Sequence, residues 1–167
     1  MTARIGIILG SDSDFPIFEK GISLLESLGI SFAIEVSSAH RTPRRTVRLA
    51  SDFAKNGIRV IIAAAGGAAH LAGFIAAHTL LPVLAVPVTS PLSGVDSLLS
   101  MVQMPGGIPV ATFGIGESGA LNAVLFALQI LALEDEKLRK ALNHFRCEQE
   151  KTVLAKNRNL KGRLSRR

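Results

Sequence analysis

Five short apolar runs, each followed by a stretch with helical spacing, restrict this chain more than any other feature. Ile5–Leu9, Phe32–Val36, Val60–Ala65, Val83–Val88 and Val110–Phe113 show almost no polar alternation, the mark of strands buried on both faces. Helical patterns lie near Pro16–Leu28, Pro43–Asn56, Ala68–Thr79, Gly94–Gln103 and Ser118–Leu133. The first carries Phe18, Ile22 and Leu25 on one face and ends at Gly29; the second stops at Asn56-Gly57. Strand then helix, five times over, predicts an α/β fold: a parallel five-stranded sheet with helices on both faces. A further helix, from about Glu134 to Ala155, aligns Leu138, Leu142, Phe145 and Val153 in one apolar stripe. Five strands do not need it to close their core. It is free to pack on its own domain or on another subunit, and the second is the expectation. With no linker and no internal repeat, residues 1–155 read as one domain.

Composition narrows the functional classes. The 167 residues are 48% hydrophobic yet contain no Trp or Tyr, so Ala, Gly, Ile, Leu and Val do the packing. No run reaches the roughly 18 apolar residues of a membrane span, and the N-terminus lacks a signal-peptide layout. Cys147 is the single cysteine, which excludes an internal disulfide framework and fits a reducing compartment, the cytoplasm. The net charge of +6 is misleading. All 13 acidic residues lie within positions 1–150 beside 12 basic ones, so that part sums to −1, while Lys151–Arg167 holds 7 basic residues and no acid. Residues 156–167 therefore read as a basic, flexible tail. A nucleic-acid surface would need a basic face with stacking aromatics; neither nucleic acid nor membrane is expected as a partner.

In open α/β sheets ligands bind beyond the carboxyl ends of the strands, and three loops there carry unusual residues. Gly10-Ser11-Asp12-Ser13-Asp14 follows the first strand. Its serines suit a phosphate and its carboxylates suit ribose hydroxyls, although Ser13 or Asp14 could also cap the next helix. Ser37-Ser38-Ala39-His40-Arg41-Thr42-Pro43 follows the second. Thr42 suits a helix N-cap and Pro43 a first helical position, which sets His40 and Arg41 at the positive end of a helix beside free backbone donors. Arginine there attracts an anion, and a neutral imidazole there can take a proton. Gly66-Gly67-Ala68-Ala69-His70 follows the third strand. Its small residues allow either close approach of a ligand or close strand–helix packing; His70 either contacts a substrate carboxylate or merely begins a helix.

Other chemistries lack their signatures. Gly114-Ile115-Gly116-Glu117-Ser118-Gly119 matches the dinucleotide fingerprint, but no further strand follows to complete its unit, and helix packing explains its glycines. Metal-ligand spacings, a phosphate-binding P-loop and a nucleophile elbow are absent. A small phosphorylated ligand, handled without metal or cofactor, remains.

GSDSDF, SAHRTP, GGAAHLAG, LSGVDSLLSMVQMPGGIPVAT and GALNA, in this order from Ile5 to Arg146, resemble the N5-carboxyaminoimidazole ribonucleotide mutases of purine biosynthesis. This family is also known as the catalytic subunit of phosphoribosylaminoimidazole carboxylase. The resemblance implies a flavodoxin-like three-layer fold, a homo-octamer with sites near subunit contacts, and no ATP, metal or organic cofactor. It implies conversion of a carbamate on the exocyclic nitrogen of an aminoimidazole ribonucleotide into the ring-carbon carboxylate. Carried over by position, His40 would be the proton carrier and Ser11, Asp14 and Arg41 would bind substrate. Ser13, Ser38, Gly66 and His70 rank second as pocket lining. A glycine-rich loop ending in His, as in GGAAH, marks the mutase branch rather than the one that carboxylates aminoimidazole ribonucleotide directly. Ala72 departs from the family's expected proline. The alternatives are that direct carboxylase, a non-catalytic flavodoxin-like nucleotide-binding protein, or an RNA-binding accessory acting through the tail. The absence of Trp and Tyr to stack on flavin speaks against the second.

Overall fold

Each of the five apolar runs becomes a strand of one sheet in the computed structural model, which describes residues 4–164. The strands are β1 (Ile5–Leu9), β2 (Phe32–Val36), β3 (Val60–Ala65), β4 (Val83–Pro87) and β5 (Ala111–Thr112). Their order is β2-β1-β3-β4-β5, and every pairing is parallel. This is the doubly wound, flavodoxin-like order. Every residue of β1, β3 and β4 is buried, as unalternating apolar strands require, whereas the edge strand β2 is half-buried. Ile5 pairs with Phe32 on one side and Val60 on the other, so the chain reverses direction of winding between β1 and β3. That reversal opens a crevice at their carboxyl ends.

The helices are α1 (Glu19–Ser27), α2 (Pro43–Lys55), α3 (Leu71–Ala76), α4 (Val95–Val102), α5 (Glu117–Ala132) and α6 (Glu136–Leu164). A tighter 3-10 helix, Asp12–Phe18, precedes α1 and contains Pro16. Several elements are shorter than their sequence patterns, β5 and α3 most of all. The β5 ladder holds only two residues, though the Phe113 N–H still bonds the Ala85 carbonyl at 2.9 Å. Helix α3 starts at Leu71 rather than Ala68, because Gly67 (φ 66°) and Ala69 (φ 42°) adopt left-handed backbone that a right-handed helix cannot include. One glycine in the sheet makes room for a neighbour: a β-carbon on Gly6 would lie 2.3 Å from the Phe53 ring, which reaches β1 from α2.

The chain divides into compact units at Ile130, a division separate from the change in charge at residue 150. In the second unit, α6 buries Leu138 and Leu142 and exposes Val153, Leu154, Leu160 and Leu164. It continues nine residues beyond Ala155, into the basic segment, because Lys, Leu, Arg and Asn are tolerable helix formers and no proline intervenes. Residues 165–167 lie outside the described part. Among the described residues no helix is long and apolar enough to cross a membrane.

Candidate active site

The loops after β1, β2 and β3 converge where the winding reverses, around a cleft of about 270 Å³. Ser11, Asp14, Ser38, His40, Arg41, Gly66 and His70 all line it, although they come from three separated stretches of sequence. Ser13 does not; its hydroxyl donates to Ser11 Oγ at 2.8 Å and so serves the loop itself.

The first loop is organised by a reciprocal cap. Ser11 Oγ accepts the Ser13 N–H at 3.3 Å, and the Ser11 N–H donates to Asp14 Oδ2 at 3.1 Å. Asp14 thus has a capping role and also reaches the cleft. It is only 7% exposed, and burial lifts its carboxyl above the ordinary value of 3.8; Asp12 adds to the rise, while the bonds from Ser11 and Ser13 oppose it.

In the second loop the structure corrects the expected cap. Thr42 occupies the N-cap position and Pro43 follows it, but the Thr42 hydroxyl makes no capping bond. It donates instead to the Ser38 carbonyl at 3.0 Å and accepts the Ser38 N–H at 3.0 Å. The donors beside His40 are not free either. Ser38 Oγ takes the Arg41 N–H at 3.2 Å, and the Ser38 carbonyl takes the Thr42 N–H at 2.8 Å. Ser37, buried, bridges to Thr46 on α2 at 2.9 Å and braces the turn from behind. These bonds hold the turn together, and its cationic reach comes from the exposed Arg41 guanidinium, which has no partner among the described residues.

The third loop has its glycines for two different reasons. A β-carbon on Gly66 would meet nothing closer than 3.7 Å, an ordinary contact, so internal packing does not demand glycine there and the missing side chain leaves the cleft open. Gly67 has open space around it but a φ of 66° that favours glycine. Its N–H donates to Ser97 Oγ at 2.9 Å, and Ser97, fully buried on α4, donates onward to the Val88 carbonyl at 2.8 Å. Sequence reasoning missed Ser97, since nothing in a lone serine thirty residues away signals the partnership. The loop delivers His70 to the cleft, where its Nδ1 lies 2.8 Å from His40 Nε2.

Two other features are separate from this site. A larger cavity of about 420 Å³, at the opposite ends of β4 and β5, is lined by apolar residues such as Leu81, Val83, Ile108 and Phe126, with Thr79 its one hydroxyl side chain. It offers no acid, base or nucleophile. The Gly114–Gly119 turn is explained by packing: a β-carbon on Gly119 would fall 1.6 Å from the Gly114 carbonyl oxygen. Among the described residues no three His, Cys, Asp or Glu side chains group as metal ligands.

Residues 4–152 match the family described as AIR carboxylase. The chain is 53% identical over 153 residues to the N5-carboxyaminoimidazole ribonucleotide mutase of Vibrio parahaemolyticus, covering 91% of this chain and 95% of that protein. It is 53% identical over 153 residues to the mutase of Escherichia coli, covering 91% and 90%. Among solved structures, that of Treponema denticola PurE is similar with a TM-score of 0.81 and 27% identity, covering 92% of this chain and 95% of that one.

Proposed function

This chain belongs to the AIR carboxylase family, and on that premise we propose that it is a mutase of purine biosynthesis. It moves the carboxyl group of N5-carboxyaminoimidazole ribonucleotide from the exocyclic nitrogen to the ring carbon. The observation that carries this reading is the convergence of His40, Arg41, Ser11 and Asp14 on one small cleft at the winding reversal. The cleft suits a mononucleotide better than a dinucleotide. Arg41, exposed at the cleft, anchors the phosphate together with Ser11, and the Asp14 carboxylate accepts from ribose hydroxyls. Ser38 and Gly66 shape the wall against the ring.

The chemistry needs one proton moved twice. Breaking the carbamate N–C bond releases carbon dioxide and leaves electron density on the exocyclic nitrogen, which takes a proton from His40. The ring carbon then attacks the trapped carbon dioxide, and neutral His40 removes that carbon's proton so aromaticity returns. The protonation state of the enzyme is restored, and no ATP, metal or organic cofactor is called for. Holding the two fragments together supplies the rate advantage of an intramolecular reaction. General acid–base help of this kind is typically worth about 10²–10⁴-fold.

The reading includes a homo-octamer whose neighbouring subunits cover the open cleft, and a cytoplasmic location. Exposed Leu80, Leu92, Val95, Leu99 and Val102 support association. Residues 1–155 form the catalytic domain, and the basic segment beyond has no part in the chemistry. The test is conversion of the carbamate to the ring-carboxylated isomer by purified protein without ATP or metal. Turnover only from aminoimidazole ribonucleotide and dissolved carbon dioxide would instead establish the direct carboxylase.

A further inference from the structure

We propose that His70 is a positioning residue for His40, and that the two rings together form the proton-carrying unit. The kinetic consequence rests on the mutase reading above; the structural one does not. His40 Nε2 and His70 Nδ1 lie 2.8 Å apart, with ring planes 80° apart and centroids 4.9 Å apart. A contact that short between two imidazole nitrogens needs one N–H and one lone pair. Two imidazolium rings would put two hydrogens into the same gap, so the bond demands that at least one ring be neutral. It also makes the two nitrogens of His40 inequivalent. Nε2 is held by His70, and Nδ1 is left to meet the substrate. A proton received at Nδ1 of His40 can be matched by a shift of the shared hydrogen toward His70.

Both rings are aimed by backbone fixed independently of the other. His40 sits within the turn that Ser38 closes through the N–H groups of Arg41 and Thr42. His70 follows Ala69, a non-glycine residue at φ 42°, and such backbone persists only where its surroundings over-determine it. Here Ser97 clamps Gly67, the Ala69 N–H reaches the Gly66 carbonyl at 3.3 Å, and the His70 carbonyl takes the Phe74 N–H at 2.9 Å. The other charged groups on the cleft are Arg41, beside His40, and Asp14, from the first loop. Neither is hydrogen-bonded to either imidazole, so among the described residues each ring is the other's side-chain partner.

The test reads the imidazole nitrogens directly, by long-range nitrogen–proton correlation NMR on the full chain. With four histidines in the chain, single substitutions assign every ring. In the parent, His40 should hold one tautomer, with one protonated and one bare nitrogen. In His70→Phe, which keeps a ring but no nitrogen, His40 should average between tautomers. An unchanged His40 pattern in that variant overturns the proposal, whatever the protein catalyses. Kinetically, His70→Phe should lower kcat by about tenfold or more with KM within about twofold. His70→Asn, whose amide places a polar atom near the Nδ1 position, should recover part of the loss and serves also if the Phe variant fails to fold. A raised KM at unchanged kcat in both variants would make His70 a substrate ligand instead. If the parent itself does not convert the carbamate, the mutase reading falls, and the tautomer measurement still decides the pairing.

Discussion

His40 is exposed at the cleft while Asp14 is 7% exposed beneath it, and this difference separates what their substitutions should do. His40→Asn keeps a polar group of similar reach but cannot carry a proton. It should bind the nucleotide with little change and lose about 10²–10⁴-fold in kcat, measured by steady-state turnover beside equilibrium binding. Asp14→Asn acts through burial as well as binding. Because burial raises the folded carboxyl above 3.8, folding penalises its charged form, and the stability carried by the protonated form is lost as pH rises through the raised value. The amide still accepts the Ser11 N–H and carries no charge. Urea unfolding should therefore find Asp14→Asn at least as stable as the parent near about pH 7, with the advantage shrinking toward about pH 4. Its nucleotide affinity should fall. An advantage that grew on acidification would mean that the carboxylate is stabilised in its charged form.

At the scale of elements, glycines with the same identity should respond in opposite ways. Gly6→Ala drives a β-carbon into Phe53 and should cost about 1–3 kcal/mol in denaturant unfolding. Gly66→Ala meets only ordinary contacts and should change stability by less than about 0.5 kcal/mol, while raising KM by narrowing the cleft. The strands and the converging loops were legible in the sequence because apolar runs without alternation belong inside a parallel sheet, and a βα repeat places every strand-to-helix loop at one edge. Side-chain partnerships across that edge were not. Thr42 fits every local rule for an N-cap, yet a serine four residues earlier competes for its hydroxyl. Ser97 looks like any helix serine until the fold sets it against Gly67. Local rules weigh neighbours in sequence, and these bonds depend on which loop the sheet order brings alongside.

For the molecule as a whole, α4 gives the clearest measure of whether the single chain is the working form. Its inner face buries Ser97 and Met101, which clamp the third loop and fill the core. Its outer face should then be polar, as on an ordinary surface helix. Instead Val95, Leu99 and Val102 recur there at helical spacing, 50%, 52% and 47% exposed, with Leu92 just ahead of them. Three apolar side chains aligned on one face, on the same helix that fixes the site, are what a subunit contact next to the cleft would need. Leu99→Lys leaves the inner face untouched, so helical content should stay near the parent's, while the unfolding midpoint should fall only by what the lost subunit contacts contributed. Sedimentation should shift from an assembly of several chains toward smaller species. Turnover should fall with it, since an uncovered cleft admits water and releases carbon dioxide before the ring carbon can capture it. Full assembly of Leu99→Lys would remove the outer face of α4 from the interface. Full turnover by a dissociated variant would show that one chain can confine carbon dioxide unaided.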